Sequence, residues 1–186
     1  MNLFEQVKSE IIGYMPKEYY CHLQFVHLMA RELMRTRPCD REVVEVASIL
    51  HDYGRVPDGD NSSHAEIGSK KAESFLLNLG YDNAITQHIS RCILMHNKTE
   101  GFTTLEEEII MNADQISKIV YHEAFMLLVK KETFEERARW GIKYLDKGYA
   151  HTTFEDVKKK YKHIYLQKRE VLQRVLPPEK FFATLN

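Results

Sequence analysis

Residues 43–55 read VVEVASILHDYGR, and this stretch decides the fold. Val43, Val44, Val46, Ala47, Ile49 and Leu50 are so densely apolar that the spacing predicts a helix near the centre of the molecule. Asp40 stands where such a helix needs an N-cap, and the helix ends near Gly54. His51-Asp52 closes its apolar run.

The same helical period extends outward in both directions. Tyr19, Leu23, Val26, Ala30, Leu33 and Met34 mark a half-buried helix over 17–36. The stretch RVPDGDNSS, with Pro57, Gly59 and Asn61, reads as a loop. Helix resumes over His64–Leu79, with Ala65, Ile67, Ala72, Phe75, Leu76 and Leu79 inward and Gly80 as its C′ residue. Further helices are expected at about 83–96, 105–121, 122–131, 133–147 and 153–175, and Pro177-Pro178 ends the last. No segment alternates as a strand does, and no repeat or low-complexity tract is evident. The expectation is an all-α fold. Its 186 residues form one domain, long enough to bury a real core.

Composition narrows the functional classes. A net charge of −1 gives no global reason to expect a nucleic-acid partner. Between Lys130 and Lys180, however, 14 Lys/Arg stand against 8 Asp/Glu. That excess suits an anionic partner or a solvated helix face, and the solvated face is the reading taken. Cys21, Cys39 and Cys92 lack CxxC spacing and are expected to be reduced, buried thiols of a cytoplasmic protein. The first twenty residues have scattered charges and no apolar core, so no signal peptide is read there. No run approaches the roughly 18 apolar residues of a membrane span.

Around His51-Asp52 lie four more candidate ligands: His22 before it, and His64, His96 and Asp114 after it. The full pattern is H-x28-HD-x11-H-x31-H-x17-D. Taken singly, each histidine has a plain alternative. His22 fits a satisfied core position, and the segment of His64 fits a cap after Ser62-Ser63. His88 and His96 are two turns apart, roughly 11–12 Å, so they cannot share an ion. Asp114 sits among apolar neighbours, and a buried carboxylate needs a partner. As a set, neutral imidazoles with carboxylates suit Mn, Fe, Co, Ni or Zn. A carboxylate commonly bridges two ions, which makes Asp52 the bridging candidate.

The set resembles the HD-domain superfamily of metal-dependent phosphohydrolases, whose signature H…HD…D becomes H…HD…H…H…D in a two-metal branch. His22-x3-Val26-x3-Ala30 is similar to the family's first helix and selects His22 over His27. VASILHDYGR resembles the helix ending in HD, and His64 precedes AEIGSKKAESFL as in the family's next helix. His96 and then TTLEEEIIMNADQIS are similar to its "AD" stretch. The likeness covers about 18–120. It implies an HD-like helical bundle with extra C-terminal helices over about 122–186. Small bacterial HD proteins that hydrolyse dinucleoside tetraphosphates are similar in pattern, although Asn97-Lys98 replaces their usual Thr.

By position, the resemblance implies that His22, His51, Asp52 and Asp114 hold one divalent metal and that Asp52 bridges to a second held by His64 and His96. Iron or manganese is favoured, with Co, Ni or Zn as alternatives. His88 stays outside this shell. The implied reaction is hydrolysis of a phosphoester or phosphoanhydride of a small molecule, a nucleotide being the substrate expected. Arg55, with Lys70 or Lys71 behind it, would offset developing charge. Two other readings stand beside it: a di-iron oxygenase on the same ligands, and a nucleotide-binding module with negligible turnover. No nucleic acid or membrane is expected. Residues 122–186, with Trp140, Tyr144, Tyr149, Phe154, Tyr161 and Tyr165, suit a pocket wall, a homodimer face or core packing, and core packing is the reading taken.

Overall fold

A computed structural model describes residues 3–15, 17–55 and 60–176. They form helices α1 (Leu3–Tyr14), α2 (Lys17–Leu33), α3 (Arg41–Leu50), α4 (His64–Asn78), α5 (Asn83–Met95), α6 (Leu105–Val120), α7 (His122–Leu128), α8 (Phe134–His151) and α9 (Glu155–Arg174). No strand occurs among the described residues. The fold is all-α.

α3 starts where its cap predicts, the Asp40 carboxylate accepting from the backbone N–H groups of Glu42 and Val43. Val43, Val44 and Val46 through Leu50 are all buried. α6 is enclosed still more completely. Its apolar Ile109, Ile110, Met111, Ile116 and Ile119 are buried, and so are its polar Asn112, Asp114, Gln115, Ser117 and Lys118. α2 and α8 pack closely on it, with α5 and α3 alongside. Its buried polar groups are therefore partnered. Asn112 donates to the Glu108 carbonyl and to Thr153 Oγ1, and its Oδ1 accepts from the Thr153 and Phe154 N–H groups. The turn between α8 and α9 is fastened to α6 in this way.

α4 ends as Gly80 predicts. Tyr81 N–H donates to the Leu76 carbonyl and Gly80 N–H to that of Leu77, with Gly80 at φ +86. This Schellman motif turns the chain so that α5 packs back along α4. At its other end α4 meets the residues after α3 through two glycines. A Cβ on Gly54 would lie 2.1 Å from the His64 carbonyl oxygen and 2.5 Å from Gly68 N. Glycine at 54 is thus what allows the first turn of α4 to lie beside His51-Asp52. α8 approaches α6 similarly, since a Cβ on Gly148 would lie 2.9 Å from the Gln115 carbonyl oxygen.

Some elements differ from the sequence reading. α1 precedes the first helix expected from the sequence, and its Val7, Ile11 and Met15 form a buried stripe at spacing four. α8 runs to His151 rather than 147. Ser63 makes no side-chain capping bond to α4. Only Cys92 of the three free cysteines is buried; Cys21 is exposed, because it falls on the outer side of α2. Pro57, Gly59 and Pro177-Pro178 lie outside the described residues. No described helix is long and apolar enough to cross a membrane.

Candidate metal centre

Five separate segments deliver the candidate ligands. His22 lies within α2, His51-Asp52 follows α3, His64 opens α4, His96 follows α5 and Asp114 lies within α6. All six are buried. The fold brings every one of them into one cluster.

Helix ends carry carbonyls with no partner inside the helix, and two of the histidines use them. His51 Nδ1 donates to the Ser48 carbonyl (2.7 Å) and His96 Nδ1 to that of Ile93 (2.6 Å). His64 Nδ1 donates to the Asn61 carbonyl at 2.7 Å. A carbonyl only accepts, so in each neutral ring the proton is on Nδ1 and the Nε2 lone pair faces inward. Burial holds the His51 imidazole down at about 3 and lowers that of His96 as well. These rings are neutral donors at neutral pH.

The inward atoms converge as two groups: His22, His51 and Asp114, and Asp52, His64 and His96. His51 Nε2 is 3.0 Å from His22 Nε2, and His64 Nε2 is 3.0 Å from His96 Nε2. Asp52 lies between the groups. Its Oδ2 is 3.3 Å from His22 Nε2 and 3.6 Å from His51 Nε2. Its Oδ1 is 3.4 Å from His64 Nε2 and 3.6 Å from His96 Nε2. Each carboxylate oxygen thus addresses a different pair of imidazoles. Asp114 Oδ1 completes the first group, 3.4 Å from His22 Nε2.

This arrangement fits divalent metal. His64 and His96 each turn Nδ1 to a backbone carbonyl, which leaves their Nε2 atoms, 3.0 Å apart, facing each other where a shared cation would sit. Neither oxygen of Asp52 accepts a well-directed hydrogen bond, and His22 Nδ1 has no partner. Two donors about 2.1 Å from one ion stand about 3.0 Å apart at a right angle and about 3.4 Å apart at the tetrahedral angle. The observed separations are of that size. Of the two sets, His22, His51, Asp52 and Asp114 suit one ion, and Asp52, His64 and His96 suit another.

Charges around the carboxylates are balanced. Lys118 Nζ donates to Asp114 Oδ2 at 2.7 Å and Gln115 Nε2 to the same oxygen at 2.9 Å, which leaves Oδ1 for the cluster. Burial alone would push the Asp114 carboxyl up; the Lys118 ammonium outweighs it, and the group lies below the usual carboxylate range. Arg55 Nε approaches Asp52 Oδ2 to 2.6 Å, though not along a hydrogen-bonding direction. Burial likewise opposes ionisation of Asp52, and His51, His22 and Arg55 reverse it.

The remaining sequence candidates fall elsewhere. His88 pairs with Thr104 Oγ1 (3.1 Å) and Glu106 (3.4 Å), outside the cluster. Lys70 and Lys71 are exposed on α4, and Lys71 donates to the Tyr14 hydroxyl. Sequence reasoning missed Lys118, although an acid and a base four apart on one helix were there to be read. It also missed Phe125, and it took Tyr144 for core packing although a pocket wall was among the alternatives. Phe125 of α7 meets the His22 ring edge-on at 5.4 Å, and Tyr144 of α8 packs 5.2 Å from Phe125.

Removing the Lys118 charge isolates a buried carboxylate and lets protons compete with metal at Asp114. Lys118→Met is expected to weaken metal binding by about 10–100-fold in a titration against a chelating indicator, with helix content preserved. Unchanged affinity would mean that Gln115 alone holds Asp114.

A helical bundle that gathers four imidazoles and two carboxylates in its interior has a His/Asp cluster that could hold divalent metal. The sequence model of the HD domain matches residues 19–119, and the chain belongs to the HD domain family. Metal-dependent phosphohydrolysis is that family's general activity, and its members hold divalent metal. No curated protein and no solved structure matches the chain.

Proposed function

We propose that this protein is a two-metal phosphohydrolase acting on a phosphoester or phosphoanhydride, with a nucleotide as substrate. One observation carries the reading: the two oxygens of Asp52 face different histidine pairs, as a carboxylate shared by two ions requires. His22, His51 and Asp114 would complete one ion's donors, and His64 and His96 the other's. Iron or manganese suits these mixed nitrogen and oxygen donors, as do cobalt, nickel and zinc.

Charge bookkeeping favours an anionic substrate. Arg55 offsets Asp52 and Lys118 offsets Asp114, so the protein's own charges nearly cancel at the site. Divalent ions there leave a net positive centre. Such ions acidify bound water to a hydroxide nucleophile and draw charge from phosphoryl oxygens. The protein supplies the rest. The backbone carbonyls of Ser48, Asn61 and Ile93 fix three imidazole tautomers, and Lys118 and Gln115 orient Asp114. Arg55 lies beside Asp52 with its side chain 30% exposed, so its guanidinium can meet a phosphoryl oxygen.

The test is hydrolysis of nucleoside monophosphates, nucleoside triphosphates and dinucleoside tetraphosphates, read as inorganic phosphate or as the shorter nucleotides formed, with and without each metal. Hydrolysis that a chelator abolishes and one metal restores supports the reading. Hydrolysis indifferent to chelation contradicts it, and so does oxygen-dependent turnover without any hydrolysis product.

A further inference from the structure

Tyr144 belongs to α8, outside the stretch matched by the family, yet it stands beside the metal centre. Lys118 Nζ is 5.8 Å from its ring centre and 2.7 Å from Asp114 Oδ2. Phe125 lies 5.2 Å from the same ring and 5.4 Å from His22. Tyr144 is therefore one side chain removed from two ligands, His22 and Asp114. Its ring is clamped, with Trp140 stacked at 4.6 Å and 16° on one side and Phe125 tilted against another.

The ring contacts account for an aromatic residue here but not for the hydroxyl. A phenylalanine would make the same stacking. The Tyr144 hydroxyl, on a half-buried side chain, forms no hydrogen bond with the described residues. Its oxygen is not fully buried, so it is open to solvent and to an anion that enters the site. We propose that the Tyr144 hydroxyl is a substrate contact, donating a hydrogen bond to a phosphoryl oxygen of the anion held at the metal centre. This rests on the phosphohydrolase reading above.

The chemistry of the group agrees. Burial and the nearby Asp114 and Asp52 carboxylates push the phenol well up, so it keeps its proton and acts as a donor. It positions the anion; it does not serve as an acid for the leaving group. A neutral, rigidly held donor orients a phosphate without adding charge to a centre already positive. Because α8 delivers it, the C-terminal helices contribute to substrate binding as well as to packing.

The experiment uses the metal-loaded full chain and inorganic phosphate as the probe. Trp140 is the only tryptophan in the sequence and stacks on Tyr144, so its fluorescence reports phosphate arrival, with calorimetry as a second readout. Tyr144→Phe keeps the ring contacts. Wild type is expected to bind phosphate only when loaded, and Tyr144→Phe to bind it about 10–100-fold more weakly with unchanged metal content. Equal affinity in the two proteins overturns the role of Tyr144 while the metal reading stands. Absence of phosphate binding to loaded wild type overturns both.

Discussion

Asp52→Asn is expected to abolish hydrolysis while leaving the helices in place. The amide matches the carboxylate in volume, so packing around α3 is retained. In the metal-free protein its NH2 group can donate to imidazole lone pairs that Asp52 faces at 3.3–3.6 Å. The metal-free variant should therefore melt no earlier than wild type. What the amide cannot do is place negative charge between two cations. With the bridge gone, several kcal/mol of charge stabilisation are lost, at about 1.4 kcal/mol for each tenfold in rate. The turnover number should fall by at least about 10³-fold, measured by formation of the hydrolysis product at saturating metal. A variant within about tenfold of wild type would remove Asp52 from the bridging position.

Gly54→Ala is the second large effect, and it acts on the backbone. The added Cβ would stand 2.1 Å from the His64 carbonyl oxygen and 2.5 Å from Gly68 N. Both are main-chain atoms, so no side chain can swing aside. α4 must move away from the end of α3, at about 3 kcal/mol, which lowers the melting temperature by roughly 6–12 °C for a chain of this size. Because His64 opens α4, the same movement separates it from Asp52 and His96. Binding of the second ion should weaken along with stability. Gly13→Ala is the control, since a Cβ there meets nothing within 4 Å, and it should be neutral or slightly stabilising. Equal melting of the Gly54 and Gly13 variants would contradict the close approach.

The sequence made the central helix and its two terminal polar residues legible because residue type and spacing alone suffice there. Apolar density marks α3, Asp40 caps it, and imidazoles with carboxylates are chemically conspicuous. The pairing of glycines 54 and 68 was not legible, because close approach depends on which backbones meet in three dimensions. Phe125 and Tyr144 were hidden for a related reason. In a chain rich in aromatic residues, helical spacing cannot distinguish a ring in the core from one that walls a site. That distinction arises only when α7 and α8 dock on α2 and α6, with Gly148 seated against the α6 backbone. α1 illustrates a third limit. Its stripe of Val7, Ile11 and Met15 is short and interrupted by charges, so its burial depends on the helices it covers.

Two ions sharing Asp52 require a definite metal count, which elemental analysis of the purified protein reads. Two equivalents of divalent metal per chain, falling to one in His64→Ala and in His96→Ala, is the predicted result. One equivalent unaffected by either substitution, or no metal under any loading condition, would contradict it.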